Sequence, residues 1–467
     1  MAKQSIPLVD ASSGAIPIWP VTEASAKAWL AAQPAAVSEW VRRQGFKIKP
    51  GKFQVVPTPK GGIAGIVLGV SATPRIWDFA LADVLPRGRY RLAPISGSQI
   101  DARAQTQAAL GWALSSYRFG RYRKADPDHA PAELQWPARA DRAYVARAHR
   151  SFTLVRDLIN TPAGDLGPAD FARVALRVAK DVGAKATTVV GQNLVRRGFG
   201  MIHGVGKGAS QEPRLVDLRW GRTGPRVTLV GKGVCFDTGG LDLKSADGML
   251  LMKKDMAGAA IALGLFRMLA DAKFPIRLRA LLPMAENSVS AESFRPGDIL
   301  TARNGLTVEI GNTDAEGRLL LGDALAEADL EKPDLLIDFS TLTGAARVAL
   351  GPDLPAMYST DDAVAAELAA LAEREADPLW RMPLWDGYMD MLASKIADTN
   401  NISGGSFAGS ITAALFLKKF VAASPRWVHL DLYAWNPKPK PGRPEGGEAQ
   451  TMRAIYRLIE QRYGGRR

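Results

Sequence analysis

Asp314 and Glu316 sit two residues apart in the octapeptide Asn312-Thr313-Asp314-Ala315-Glu316-Gly317-Arg318-Leu319. In extended backbone, residues i and i+2 leave the chain on one side, so the pair would aim two carboxylates at one place. Such charges repel unless a cation lies between them. Arg318 is one candidate cation and a metal ion is another. Glu309 and Asp323 flank the stretch. A helix that merely carries acids in its first turn would use the same residue types without forming a site. A second stretch tips the balance. It runs Gly231-Lys232-Gly233-Val234-Cys235-Phe236-Asp237-Thr238-Gly239-Gly240, then Lys244, then Lys253-Lys254-Asp255-Met256-Ala257-Gly258. Together the two stretches offer Asp237, Asp255, Asp314 and Glu316 as oxygen donors, with Lys232, Lys244 and Arg318 as cations. That much mixed charge beside apolar strands is costly to bury unless a metal or a substrate compensates it.

The elements that would position these groups are readable around them. Val227-Thr228-Leu229-Val230 is a short β-branched, apolar run, the pattern of a buried strand ending at Gly231. Leu306-Thr307-Val308-Glu309-Ile310 reads as a strand and residues 319–330 as a helix stopped before Pro333. The octapeptide then lies where a strand hands over to a helix, the edge of an open α/β sheet at which ligands bind. From residue 165 onward, strands (186–190, 215–220, 276–282, 335–339, 427–432) alternate with helices (171–182, 256–270, 364–374). This predicts a mainly parallel sheet flanked by helices. The first 140 residues read as a smaller α/β domain, with a strand over 62–70, a helix over 105–117 and a polar loop over 124–131. A helix over 138–160 is expected to join the two. The expected organisation is 1–140 as an N-terminal domain for assembly or regulation, 141–162 as the connector and 163–467 as the catalytic domain. The Pro/Gly-rich stretch 437–447 is expected to be a loop near the site or at a subunit edge.

These motifs together resemble the leucyl aminopeptidase family, and within it a bacterial type. The octapeptide matches the family signature without a departure. Further matches are Val230-Gly231-Lys232-Gly233, Phe236-Asp237-Thr238-Gly239-Gly240, Lys244, Lys254-Asp255-Met256, Pro283-Met284-Ala285-Glu286-Asn287, Arg295-Pro296-Gly297-Asp298, Thr341-Leu342-Thr343-Gly344 and Thr412-Ala413-Ala414-Leu415-Phe416-Leu417. Gly446-Gly447-Glu448-Ala449-Gln450 resembles a bacterial subgroup rather than the animal ending. The resemblance covers about residues 150–460.

It implies a metal-dependent aminopeptidase that removes an N-terminal leucine or other apolar residue from peptides with a free N-terminus. Two divalent ions per subunit are implied, Zn²⁺ or Mn²⁺ before Mg²⁺ or Co²⁺, with bicarbonate as general base. Carried over residue by residue, Asp237 and Glu316 bridge the ions, Asp314 completes one centre, and Lys232 and Asp255 complete the other. Lys244 stabilises the oxyanion and Arg318 holds the bicarbonate. Met252, Thr341, Leu342 and Gly344 match the first side-chain pocket. Lys253 and Lys254 match no ligand position. A homohexamer is implied as well.

Composition bounds the rest. Of 467 residues, 47% are hydrophobic and 23% charged, as in globular proteins. No apolar run approaches the ~18 residues of a membrane span, and the first residues lack a signal-peptide core. The single cysteine, Cys235, excludes an intrachain disulfide and suits a reducing cytoplasm; its apolar neighbours suit a packed thiol. The net charge is +13, and about two-thirds of that excess lies before residue 143. Clusters at Arg42-Arg43, Lys47/Lys49/Lys52, Arg87/Arg89/Arg91 and Arg118/Arg121/Arg123/Lys124 read first as a solvated basic surface; interleaved with Tyr90, Tyr117, Phe119 and Tyr122, they also suit weak, non-specific nucleic-acid binding. A DNA-binding accessory protein is the alternative function. His129, His149, His203 and His429 all lie outside the motifs, and there is no His-Glu-x-x-His, which argues against a histidine-ligated metalloprotease. Gly231-Lys232-Gly233 lacks the spacing of a phosphate loop. Gly198 to Gly204 reads as a turn.

Overall fold

The run Arg226–Gly231 is apolar at nearly every position and buried after its first residue, so it can only be a strand covered on both faces. It forms the centre of a nine-stranded sheet. Leu335–Ser340 pairs with it in parallel on one side and Arg277–Asn287 in parallel on the other. Outward from Leu335–Ser340 follow Trp427–Asp431, parallel, then Ala356–Ser359, antiparallel, and Trp380–Arg381. Outward from Arg277–Asn287 follow Arg214–Trp220 and Lys185–Val190, both antiparallel to their neighbours. The sheet is therefore parallel at its centre and mixed at its margins. The chain leaves Arg226–Gly231 toward one side and later returns on the other, which makes its carboxyl end a topological switch point.

The computed structural model describes residues 5–11, 13–94, 100–124 and 130–465. It divides into two units: 1–153 with 438–445, and 154–437 with 446–467. The helix Arg142–Asn160 runs through the division. Within the first unit a six-stranded sheet is ordered Leu8–Val9, Glu133–Gln135, Arg89–Leu92, Ile16–Val21, Ile63–Gly69, Phe53–Pro57. Only the edge strand Phe53–Pro57 is antiparallel. Trp29, Val41, Val56 and Val67 form a core against one face. The stretch 437–447 divides: Lys438–Glu445 belongs to the first unit, where Arg443 stacks 4.8 Å over Trp77, and Gly446–Gly447 pairs with Trp435–Asn436 in the second. Of the polar loop expected over 124–131, residues 125–129 lie outside the described residues, as does His129.

In the second unit the helix Ala257–Ala272 is almost wholly buried against the central strands. Gly258 permits this, since a Cβ there would lie 2.1 Å from the carbonyl oxygen of Phe339. Two local expectations fail. Gly200–Gly206 is a helix rather than a turn. Its first amides, Met201 N and Ile202 N, donate to Asp323 Oδ2 at 3.0 Å, a cap supplied from a distant helix. The octapeptide is not extended either. Its preceding strand, Thr307–Glu309, belongs to a separate three-stranded sheet, and Glu316 already has helical backbone (φ −75°, ψ −36°) at the start of Gly317–Asp329.

Candidate metal centre

Lys232 follows directly on the central strand. Its amide donates to Phe339 O (2.9 Å) and its carbonyl accepts from Ala259 N (2.8 Å), so strand and helix pin its backbone. The chain resumes as the strand Gly233–Asp237, which pairs with the far half of Arg277–Asn287 and delivers Asp237 at its end. Asp255 comes from the short helix Met252–Met256, and Glu316 from the turn before Gly317–Asp329. Three elements thus converge at the carboxyl edge of the sheet. Oxygens of Asp237, Asp255 and Glu316, all buried, lie within 4.8 Å of one another. Gly317 admits a close approach there: a Cβ would sit 2.3 Å from Lys232 Cε and displace the lysine from its carboxylates.

Lys232 Nζ lies 2.7 Å from Asp255 Oδ2 and 2.9 Å from Glu316 Oε1. Lys244 Nζ lies 2.9 Å from Asp237 Oδ2 and also contacts Asp314 Oδ1. The Lys232 end is sealed, whereas Lys244 and Asp314 are partly exposed and mark the mouth. Four carboxylates therefore share two ammoniums. Burial opposes the charge on Lys232, but Asp255, Glu316 and Asp237 outweigh it and hold its pKa above the lysine range. Lys244 is likewise raised against its own burial, by Asp237 and Asp314. Asp255 is held low despite burial, mainly by Lys232. The deficit falls on the other two: burial and the Asp255 charge push Asp237 up to about 6, and burial and Asp237 push Glu316 well above the carboxylate range. Asp255 Oδ2 and Glu316 Oε1 touch the Lys232 ammonium and Asp314 Oδ1 that of Lys244, and none of the three buried oxygens has a further donor among the described residues. A buried, oxygen-rich cluster short of positive charge fits divalent cations.

Arg318 is not the cation between Asp314 and Glu316. It points away, donating from Nη1 to Asn401 O at 2.6 Å and lying 6.0 Å from the Phe416 ring. Its Nε is buried without a partner, and among the described residues no carboxylate pairs with it. Burial pulls its pKa down to about 10. A buried guanidinium left without a counter-ion fits a small anion.

The residues matched to a side-chain pocket are less uniform. Met252 is buried beside Asp255 in sequence. Thr341 is committed to the cluster: its hydroxyl donates to Asp255 Oδ1 at 2.6 Å and its carbonyl accepts from Lys232 Nζ at 3.3 Å. Leu342 is half-buried against the core, its amide held by Asp431 Oδ1. Gly344 is exposed, and a Cβ there would meet only Arg347 Nη2, at 3.4 Å. Lys253 donates to Asn160 O, and Lys254 is buried over the Tyr433 ring.

Three supporting residues escaped the sequence reading. Asn401 mimics a neighbouring strand: its Oδ1 accepts from Gly311 N and Asn312 N, and its Nδ2 donates to Asn312 O. Asp242 accepts from Thr313 N at 2.7 Å. Asn287, quoted only as part of a motif, donates to Asp237. All act through contacts far apart in the chain, for which local patterning carries no signal. Cys235 is buried, and burial pushes its thiol well above the usual range. His429 is a core residue, with Nδ1 2.6 Å from Asp338 Oδ1, and none of the described histidines enters the cluster.

In the first unit Lys47, Lys49 and Lys52 line a groove of about 450 Å³ together with Phe46, Phe53 and glutamines. Other basic clusters are partly neutralised, as by Arg118–Asp83 (3.1 Å) and Arg89–Glu133 (3.0 Å). Among the described residues no helix is long and apolar enough to cross a membrane.

Known proteins resemble this chain over most of its length. Residues 153–456 match the model of the cytosol aminopeptidase family catalytic domain, and residues 16–136 that of the M17 aminopeptidase N-terminal domain. A "Probable cytosol aminopeptidase" of Caulobacter vibrioides is 38% identical over 382 residues, 78% of this chain and 77% of that protein. One of Mycobacterium tuberculosis is 40% identical over 369 residues, 75% and 72% of the two chains. Among solved structures, cytosol aminopeptidase from Coxiella burnetii superposes with a TM-score of 0.92 at 45% identity, covering 98% of this chain and 100% of that one. The bottromycin maturation enzyme BotP in complex with Mn does so with 0.85 at 32%, covering 96% and 99%.

Proposed function

The chain belongs to the cytosol aminopeptidase family, a family of metallo-exopeptidases, and from that premise we propose that it removes apolar N-terminal residues, leucine foremost, using two divalent ions. The observation that carries this is the cluster of four carboxylates and two lysines at the sheet switch point, buried at its Lys232 end and open at Lys244 and Asp314. Asp237 and Glu316 would be shared by both ions, Asp314 would serve the outer one, and Asp255 with a deprotonated Lys232 the inner one. Loss of the Lys232 proton is what two adjacent dications favour. Zn²⁺ or Mn²⁺ is the expected metal, with Mg²⁺ or Co²⁺ as substitutes; a relative of known structure was solved with Mn. When bound, the ions supply an acidified water and an anchor for the free α-amine, and bicarbonate supplies a proton acceptor.

The chain's own residues do the rest. Lys244, at the mouth, directs its ammonium at the oxygen that gains charge as the scissile carbonyl is attacked. Arg318, a buried cation with no carboxylate partner among the described residues, would hold the bicarbonate. Met252, the methyl of Thr341, Leu342 and the open space at Gly344 would receive the first side chain. Exposed Trp385 and Phe407 suit subunit contacts, and we take the assembly to be a cytoplasmic homohexamer. We keep the N-terminal unit as an assembly or regulatory domain. The lysine-lined groove supports a second, weak role in nucleic-acid binding.

The test is a metal-loaded assay over a panel of aminoacyl 4-nitroanilides, with Nα-acetylated controls. Hydrolysis of free-amine substrates only, lost on chelation and restored by Mn²⁺ or Zn²⁺, is expected. A salt-dependent DNA shift with no hydrolysis under any metal would reverse the ranking.

A further inference from the structure

Asn287 ends the strand Arg277–Asn287, is fully buried, and is the register partner of Asp237 on the adjoining parallel strand. Its Nδ2 donates twice, to Asp237 Oδ1 at 2.9 Å and to Thr313 O at 3.0 Å. Both partners are pure acceptors, so only the NH₂ end of the amide satisfies them and the orientation is set by chemistry. Asp237 Oδ1 also accepts from Gly239 N at 2.9 Å. That oxygen is held by two N–H donors, while Oδ2 meets the Lys244 ammonium at 2.9 Å. The other acceptor, Thr313 O, belongs to the residue before Asp314. One amide group therefore spans the two loops that carry Asp237 and Asp314. The span is reinforced by Thr313 Oγ1, which donates to Gly239 O at 2.6 Å, and by Asn287 O, which accepts from Thr238 N and Oγ1. The remaining Asn287 oxygen faces Gly240, where a Cβ would come within 2.9 Å of it. Gly240, at φ +68°, leaves room for the amide.

We propose that Asn287 is a positioning residue for the metal site: it holds Asp237 Oδ1, so that the carboxylate which would serve the ions keeps one orientation, and it locks the Asp237 and Asp314 loops at one separation. The proposal rests on the two-ion reading above. Asparagine suits the place because it supplies two donors and no charge. An aspartate would add a further anion to a cluster already rich in them, and an apolar side chain would leave Asp237 Oδ1 with a single donor and the carboxylate free to turn.

The test uses Asn287→Leu, which keeps the shape and removes both donors, and Asn287→Ser, which keeps a single donor and carries the test if the leucine variant does not fold. Three quantities are read on full-length protein: melting temperature without metal, Mn²⁺ affinity by chelator competition, and the paramagnetic resonance signature of a coupled Mn²⁺ pair. Loss of a hydrogen-bonding partner behind a metal ligand costs about 10–100-fold in metal affinity. That loss is expected for the second ion in Asn287→Leu, with a weakened pair signal, lower kcat and little change in KM. Asn287→Ser should fall between it and wild type. Wild-type Mn²⁺ affinity and a full pair signal in the variants would overturn the proposal, even if the metal-free melting temperature fell. Wild-type protein that binds only one ion would instead overturn the two-ion reading, and the proposal with it.

Discussion

Replacing Lys244 by methionine should move turnover and metal affinity in opposite directions. The ammonium is 2.9 Å from Asp237 Oδ2 and also contacts Asp314, with 16% of its side chain exposed. A pair of unit charges at that separation is worth about 5–6 kcal/mol at an effective dielectric constant near 20. Desolvation of the ammonium offsets several kcal/mol of this. The remainder, about 1–3 kcal/mol, is the strength with which Lys244 competes with a bound cation for the same oxygens. Methionine fills a similar volume without competing, so Mn²⁺ or Zn²⁺ should bind about 5–150-fold more tightly. Turnover should nevertheless drop about 10²–10³-fold, the usual loss on deleting one group that steadies an oxyanion. Chelator competition on metal-free protein measures the first quantity, and steady-state hydrolysis of leucine 4-nitroanilide at saturating metal the second. Weaker metal binding would make Lys244 a ligand and cast doubt on Lys232. Undiminished kcat at full loading would remove the oxyanion role.

Arg318→Met should lower kcat and flatten its response to added bicarbonate; equal stimulation of variant and wild type would free Arg318 from that task. Stability should carry a pH signature from His429. Burial opposes its charge, but Asp338 outweighs that and raises the folded pKa above the unfolded value near 6.5. The stabilisation is then complete below about pH 6.5 and is lost as pH rises through the folded value. Melting curves of His429→Gln should lack that downward slope, and an unchanged slope would assign it elsewhere. Charge reversal at Lys47, Lys49 and Lys52 should leave kcat on a short peptide unchanged and abolish weak DNA retention, with the salt slope falling by about 0.9 per lost phosphate contact. Tight DNA binding at physiological salt, removed by these changes, would promote the second role.

What could be read from the chain follows from how local each cause is. The central strands were visible because burial on both faces demands an unbroken apolar run, as in Arg226–Gly231 and Leu335–Ser340. The helix Ala257–Ala272 was visible from its alanines and leucines. The ligand-type residues were visible because their chemistry is in their identity. How they meet was not. Asp314 and Glu316 converge through a turn and a helix start rather than through strand alternation, and they contact different lysines. Arg318 faces Asn401 because a strand distant in sequence brings a carbonyl there. The helix Gly200–Gly206 was invisible because its cap, Asp323, is remote. In each case the deciding partner is supplied by the tertiary fold.

Gly317 sets a rule for anyone who recombines this gene with its relatives. Its missing side chain is the space through which the Lys232 stem passes, 2.3 Å from where a Cβ would be. The two residues are therefore sterically matched although they belong to separate motifs. A chimera whose crossover falls between positions 232 and 317 takes one member from each parent. It keeps the fit if the first parent supplies lysine at 232 and the second glycine at 317, whereas an alanine at 317 would have to meet a shorter residue at 232. Crossovers downstream of Asp329 escape this restriction, so shuffling libraries should concentrate their junctions there.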